Sequence, residues 1–146
     1  MKINDFLSKN REAIINRWLD LIFASYPKGS ANILKEGEDR FANPMGWIIR
    51  NGVSDIFDGI VEKNNLDKFY SILNNIIRLR AVQELTPSAA ISFIFHLKQA
   101  IRENLNMEDV DFKELLLLES KIDDMAGISF DIYMRCREKI AELKGR

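Results

Sequence analysis

A single histidine, His96, and a single cysteine, Cys136, bound the chemistry open to this chain. A nucleophile needs a base beside it. A His–Cys pair is formally available, but nothing in the sequence around either residue supports one. A di-iron bundle draws on two Glu-x-x-His pairs, which a lone histidine cannot supply. Structural zinc wants four Cys or His ligands, and the glycine-rich loop that cradles phosphate is missing. His96 sits in Phe93-Ile94-Phe95-His96-Leu97. In a helical chain, such aromatic surroundings admit a haem- or tetrapyrrole-ligand reading. An ordinary helix histidine, with Ser92 and Gln99 a turn to either side, is the favoured alternative. The remaining chemical groups crowd into Arg78-Leu79-Arg80-Ala81-Val82-Gln83-Glu84-Leu85-Thr86-Pro87. Guanidinium matches carboxylate and phosphate, so Arg78 and Arg80 would suit an anionic ligand, substrate or partner if they converged. Near a helix C-terminus they equally serve structure, countering the helix dipole or pairing with Glu84 or Asp39, and this is the favoured role. Arg40 carries the same ambiguity. Cys136 reads as a buried structural thiol, its flanking Arg135 and Arg137 pointing elsewhere on the helix.

The elements that must position these groups are helices. Leu7, Ile14, Trp18, Leu21 and Ile22 form one stripe at helical spacing, closed by turn residues from Tyr26 to Ser30. Asn43-Pro44 reads as an N-cap followed by proline at the first helical position. Met45, Ile48, Ile49, Val53, Ile56, Phe57 and Ile60 then make a second stripe. Leu66, Phe69, Tyr70, Leu73, Ile76 and Ile77 begin a third helix with Asn65 as its cap, and Thr86-Pro87 repeats the cap-plus-proline signal before Ala90, Ile94, Leu97 and Ile101. Trp18 and Trp47 lie on apolar stripes and read as core or interface residues. The last helix is long, from about Asp109 to Leu143. Residues 108–131 carry a net charge of −6 and residues 135–146 a net charge of +3, a polarity that complements the helix dipole. Ala126, Tyr133 and Ile140 recur every seven residues, and apolar residues cover much of the girth. Such a helix needs cover from more than one side. A partner subunit on the face of Ala126, Tyr133 and Ile140 is slightly favoured over a central helix of a monomer, with Gly127 allowing close approach.

With no strand-like alternation, repeat or low-complexity tract, the pattern predicts an all-α single-domain helical bundle over residues 1–146. At 146 residues and 47% apolar content the chain can bury a core without disulfides. A net charge of −1 gives no general pull toward nucleic acid or anionic membrane. The longest apolar runs, such as Leu115 to Leu118, fall far short of the roughly 20 residues that cross a bilayer. The N-terminus has no signal-peptide core. A soluble, cytoplasmic protein without metal or cofactor is expected.

Three stretches together resemble the N-terminal domain of the RsbR/RsbRD family, the RsbT co-antagonists. They are Arg17-Trp18-Leu19 with Tyr26-Pro27, then Arg40-Phe41-Ala42-Asn43-Pro44, then Arg80-Ala81-Val82-Gln83 through Thr86-Pro87-Ser88-Ala89-Ala90 and Phe93. The resemblance implies a globin-like, non-haem fold, homodimerisation, and a long C-terminal helix that leads into a STAS domain. It implies a non-enzymatic sensory or signal-transduction role in stress response, exercised through helix packing and protein binding. The chain stops at Arg146 with no STAS domain, so a free-standing relative with a separate, STAS-bearing partner is expected. Arg40, Asn43, Arg78, Arg80, Gln83 and Thr86 are the residues proposed for a polar cluster or a ligand or partner contact.

Overall fold

The computed structural model describes residues 1–26, 44–61, 66–83, 85–106 and 108–145. Arg40, Asn43, Asp39, Asn65 and Glu84 lie outside them. The described residues form six helices and no strand: α1 (Ile3–Lys9), α2 (Arg11–Ala24), α3 (Pro44–Val61), α4 (Leu66–Val82), α5 (Pro87–Asn104) and α6 (Phe112–Lys144). This all-α plan with a long last helix is consistent with the expected globin-like arrangement.

Local sequence accounts for most of the boundaries. The first stripe is two helices, because Asn10 leaves helical geometry at φ −106°, ψ 17° and turns its side-chain Nδ2 onto the Phe6 carbonyl at 2.9 Å. An asparagine that bonds its own backbone competes with the helix ladder. Helix α5 begins as its cap predicts: Thr86 Oγ1 accepts from the Ala89 N–H at 3.2 Å, and Pro87 follows. Helix α6 starts later than the acidic run suggested. Asp111 is its cap, accepting from the Lys113 N–H at 2.9 Å, which leaves Asp109 in the preceding turn.

The helices pack in a closed ring. α2 lies against α5, α5 against α6, α6 against α4, α4 against α3, and α3 returns to α2, while α1 folds over α2 and α3. Trp18, Ile22, Ile56, Leu73, Ile77, Phe93, Leu97 and Ile122 fill the interior. Each large apolar side chain buried this way contributes about 1.5–3 kcal/mol. The α3–α4 contact depends on Gly52. A Cβ there would lie 2.8 Å from Ile76 Cγ1, and Ile76 is itself buried. Gly52→Ala is therefore expected to lose about 1–2 kcal/mol, overpacking of about 1–3 outweighing the gain in helix propensity. A urea midpoint at or above wild type would contradict this. No helix among the described residues is long and apolar enough to cross a membrane.

Candidate functional site

Three polar or charged side chains are buried among the described residues, Arg80 at the α4–α5 junction and Glu119 and Ser129 on α6, and Arg80 is the one with the densest set of partners. Arg80 is only 2% exposed. Its fork donates from Nε to the Ala90 carbonyl at 2.7 Å and from Nη2 to the Ala89 carbonyl at 2.8 Å. Its Nη1 reaches the Tyr26 hydroxyl at 2.9 Å. The guanidinium also lies 5.5 Å from the ring centroids of both Tyr26 and Phe93, a cation–π geometry. Tyr26 donates onward to Gln83 Oε1 at 3.0 Å, and Gln83 Nε2 reaches Met45 Sδ at 2.7 Å. Arg80 on α4 and Gln83 just beyond it thus tie together the end of α2, the start of α3 and the first turn of α5. Burial pushes the Arg80 pKa below its ordinary value, but arginine starts so high that it stays charged.

Of the residues proposed for one cluster, Arg80 and Gln83 are brought together. Thr86 is exposed and serves as the α5 cap. Arg78 is exposed on another side of α4. Two residues along a helix are about 200° apart, so Arg78 and Arg80 do not converge on one ligand. Among the described residues the partners of Arg80 are carbonyls and a phenol rather than a carboxylate. Tyr26 and Met45 were missing from the expected cluster. Tyr26 stood in the sequence as a motif residue without a role, and nothing in the spacing marks Met45.

The junction is fastened to α6. The Tyr133 hydroxyl donates to the Leu85 carbonyl, and Arg137 Nη1 donates to the Ala81 carbonyl at 3.2 Å. Carbonyls in the last turn of a helix lack intrahelical donors, so Arg137 satisfies one that α4 leaves open at Ala81, while Tyr133 satisfies the Leu85 carbonyl in the turn between α4 and α5. The same fact corrects the dimer face. Ala126 and Tyr133 are 5% and 3% exposed, covered by their own chain, and Ile140 is half-buried. The exposed apolar residues of α6 are others, among them Phe112, Leu116, Phe130 and Met134. The heptad count picked the inner face because inner and outer faces of this helix are both apolar.

Ion pairs close the α5–α6 flank. Arg102 holds Glu119 with Nε and Nη2 at 2.6 and 2.8 Å, and Lys98 reaches Asp123 at 3.1 Å. The Arg102 hydrogen bonds hold the Glu119 carboxyl below the usual range. Arg17 and then Gln99 do the same for Glu103, which is lowered to about 2. Carboxylates with depressed folded-state pKa stabilise fully above the unfolded value, here 4.5, and that contribution is lost as pH falls through the folded values. Glu119→Gln should cost about 1 kcal/mol at pH 7, because solvent screens the exposed Arg102 guanidinium. Its gap from wild type should close as pH drops toward the unpaired state. Urea denaturation at several pH values reads this directly, and a gap that stays constant with pH would sink it.

His96 is half-buried on α5, and its Nδ1 is buried with no hydrogen-bond partner among the described residues. Desolvation, and then Arg80, lower its pKa, so the ring is neutral at pH 7. Among the described residues no group of three His, Cys, Asp or Glu side chains is placed to hold a metal ion. Cys136 is half-buried rather than buried. It shares a groove with Arg135, which therefore does not point away from it as the sequence suggested.

A family model described as the RsbT co-antagonist protein rsbRD N-terminal domain matches residues 12–146. No curated protein and no solved structure matches the chain at a significant level. The family match covers nearly the whole chain, and no STAS domain is detected in it. The chain belongs to the RsbRD N-terminal domain family, a family of stress-response signalling regulators.

Proposed function

We propose that this chain is a non-enzymatic sensory or regulatory module that works as a homodimer. It passes its signal to a STAS-bearing protein partner by repacking α6 against the α4–α5 junction. The observation that carries this reading is the pair of α6 side chains, Tyr133 and Arg137, on the Leu85 and Ala81 carbonyls. These carbonyls flank the segment next to Arg80. A ligand or partner that moved the Arg80 cluster would therefore act on α6 through hydrogen bonds, favouring one of two packings.

The dimer is supported by the outer face of α6. Eighteen residues are about five helical turns, so Phe112 lies in line with Phe130 and Leu116 in line with Met134. All four are exposed. Lys98–Asp123 and Arg102–Glu119 set α5 alongside this face, and exposed Phe95 stands on the same side of α5 as Lys98 and Arg102. Gly127 lies in the stripe with nothing within 4 Å of where its Cβ would be. A second copy fits such a stripe, since an exposed apolar patch on a chain of this size marks an interaction surface.

The test is amide hydrogen exchange on wild type and Tyr133→Phe. The variant should keep its helicity and dimer mass while exchange across residues 130–144 speeds up severalfold. Unchanged exchange there would refute the coupling. Native mass spectrometry of Phe130→Glu tests the dimer separately: wild type as a dimer and the variant as a monomer is the expected pair. A monomeric wild type would remove the dimer from the reading. The rival, a haem- or tetrapyrrole-binding sensor using His96, has the unpartnered Nδ1 in its favour. It requires a Soret band on haem titration that His96→Ala abolishes, and the regulatory reading expects no such band.

A further inference from the structure

The groove that Cys136 shares with Arg135 lies between α4 and the C-terminal part of α6, away from the Arg80 cluster. Its cavity is about 230 Å³, lined by Tyr70, Asn74, Arg78, Ile132, Arg135, Cys136 and Lys139. Three of these side chains are cations and none is an acid. That is unusual for this surface. The chain has 22 acids against 21 lysines and arginines, and Arg11, Arg17, Lys98 and Arg102 are each paired with a carboxylate. In the groove, by contrast, Arg78 and Lys139 make no hydrogen bond or ion pair among the described residues. Among the described residues Arg135 reaches only the Asp131 carbonyl of its own helix, at 3.4 Å. Among the described residues no acid lines the groove to offset these cations; like charges so gathered repel, and the arrangement is relieved by an anion seated between them.

We propose that this groove binds a phosphoryl group, either as free phosphate or on a small phosphomonoester. Two guanidiniums and an ammonium supply a charge suited to a dianion, and guanidinium meets phosphate oxygens in bidentate fashion. The Tyr70 hydroxyl and the Asn74 amide add neutral donors, while Ile132 gives an apolar wall. The cavity holds several water volumes at roughly 30 Å³ each and is below the roughly 300 Å³ of a drug-sized site. It therefore suits a small ligand and not a peptide segment. Because Arg78 stands on α4 and the other two cations on α6, a bound dianion would bridge the two helices and hold the C-terminal part of α6 down. The site stands on its own geometry and does not depend on the regulatory reading above.

The test is an NMR titration of the whole chain with inorganic phosphate and, in a second arm, glycerol phosphate, both at ionic strength held constant with chloride. Saturable shifts confined to residues 70–78 and 132–139 are expected. The double variant Arg78→Gln with Lys139→Gln should weaken binding at least about tenfold. Both positions are exposed, so the variant should fold as wild type does. Tighter binding of glycerol phosphate than of phosphate would identify the phosphomonoester as the better ligand, and the reverse would identify free phosphate. Shifts scattered over the surface, unchanged affinity in the double variant, or preference for a dicarboxylate such as succinate would each overturn the assignment. So would binding of an acidic peptide without binding of either phosphate.

Discussion

Arg80→Ala is expected to lower the stability of the domain by about 3–5 kcal/mol, a loss at the upper end for a single substitution. At this chain length that corresponds to a fall in Tm on the order of 10 °C. The side chain is 2% exposed, so truncation leaves a cavity and removes three hydrogen bonds and two ring contacts together. Arg80→Lys should lose about 1–3 kcal/mol, because an ammonium cannot reproduce the planar fork that spans both carbonyls and the phenol. Arg80→Met should be the mildest. The Ala89 and Ala90 carbonyls remain eligible for the helix bonds of α5, and replacing a buried charge by an apolar side chain of similar length is often close to neutral. Thermal and urea denaturation of the three variants would show the order. Lysine matching wild type would mean that charge alone, and not fork geometry, is what the site requires.

If methionine is tolerated in isolation, the arginine is there for more than stability. The cluster joins the end of α2, the start of α3 and the first turn of α5, and its backbone neighbours hold α6 through Tyr133 and Arg137. An apolar replacement would keep the packing while cutting the hydrogen bonds through which movement on one side is felt on the other. Stability and signal output would then separate, which is the behaviour expected of a regulatory module and not of a plain structural lock.

Much of the fold was legible because it rests on short-range rules. Thr86-Pro87 announced the start of α5, and the apolar periodicity of α3 and α5 matches their buried faces. The errors fall where two local signals compete. Asn10 carries no proline or glycine, so the break between α1 and α2 was hidden inside a continuous stripe. Asp109 and Asp111 are equally good caps by residue type, and the packing chose the second. The site was legible only in part, since its partners are tertiary. Arg80 and Gln83 were found through their motif, but the carbonyls that Arg80 engages have no side-chain signature, and the Tyr133–Leu85 contact spans 48 residues. On α6, periodicity could not tell the inner face from the outer because both are apolar. Only the ring of helices decides which face α4 and α5 already cover.

Trp18→Ala should cost about 3–5 kcal/mol, and Trp18→Phe about 1–2. The indole is fully buried, and its Nε1 donates to the Phe93 carbonyl at 2.6 Å. Its ring lies nearly parallel to that of Phe93, 8° apart in plane with centroids 6.5 Å apart. Phenylalanine keeps most of the apolar volume and loses the donor; alanine loses both. Trp47 remains as a fluorescent reporter in either variant. Phe93 is also the ring beneath the Arg80 guanidinium, so Trp18 and Arg80 share a neighbour. Substitutions at residues that share a partner are not additive. Combining Trp18→Phe with Arg80→Met should therefore depart from the sum of the single losses by at least about 0.5 kcal/mol. Additivity within error would mean that Phe93 is held by the rest of the core and does not link the two. The α2–α5 contact and the junction would then be independent parts of the fold, and a signal reaching Arg80 would have no route to α2 through that ring.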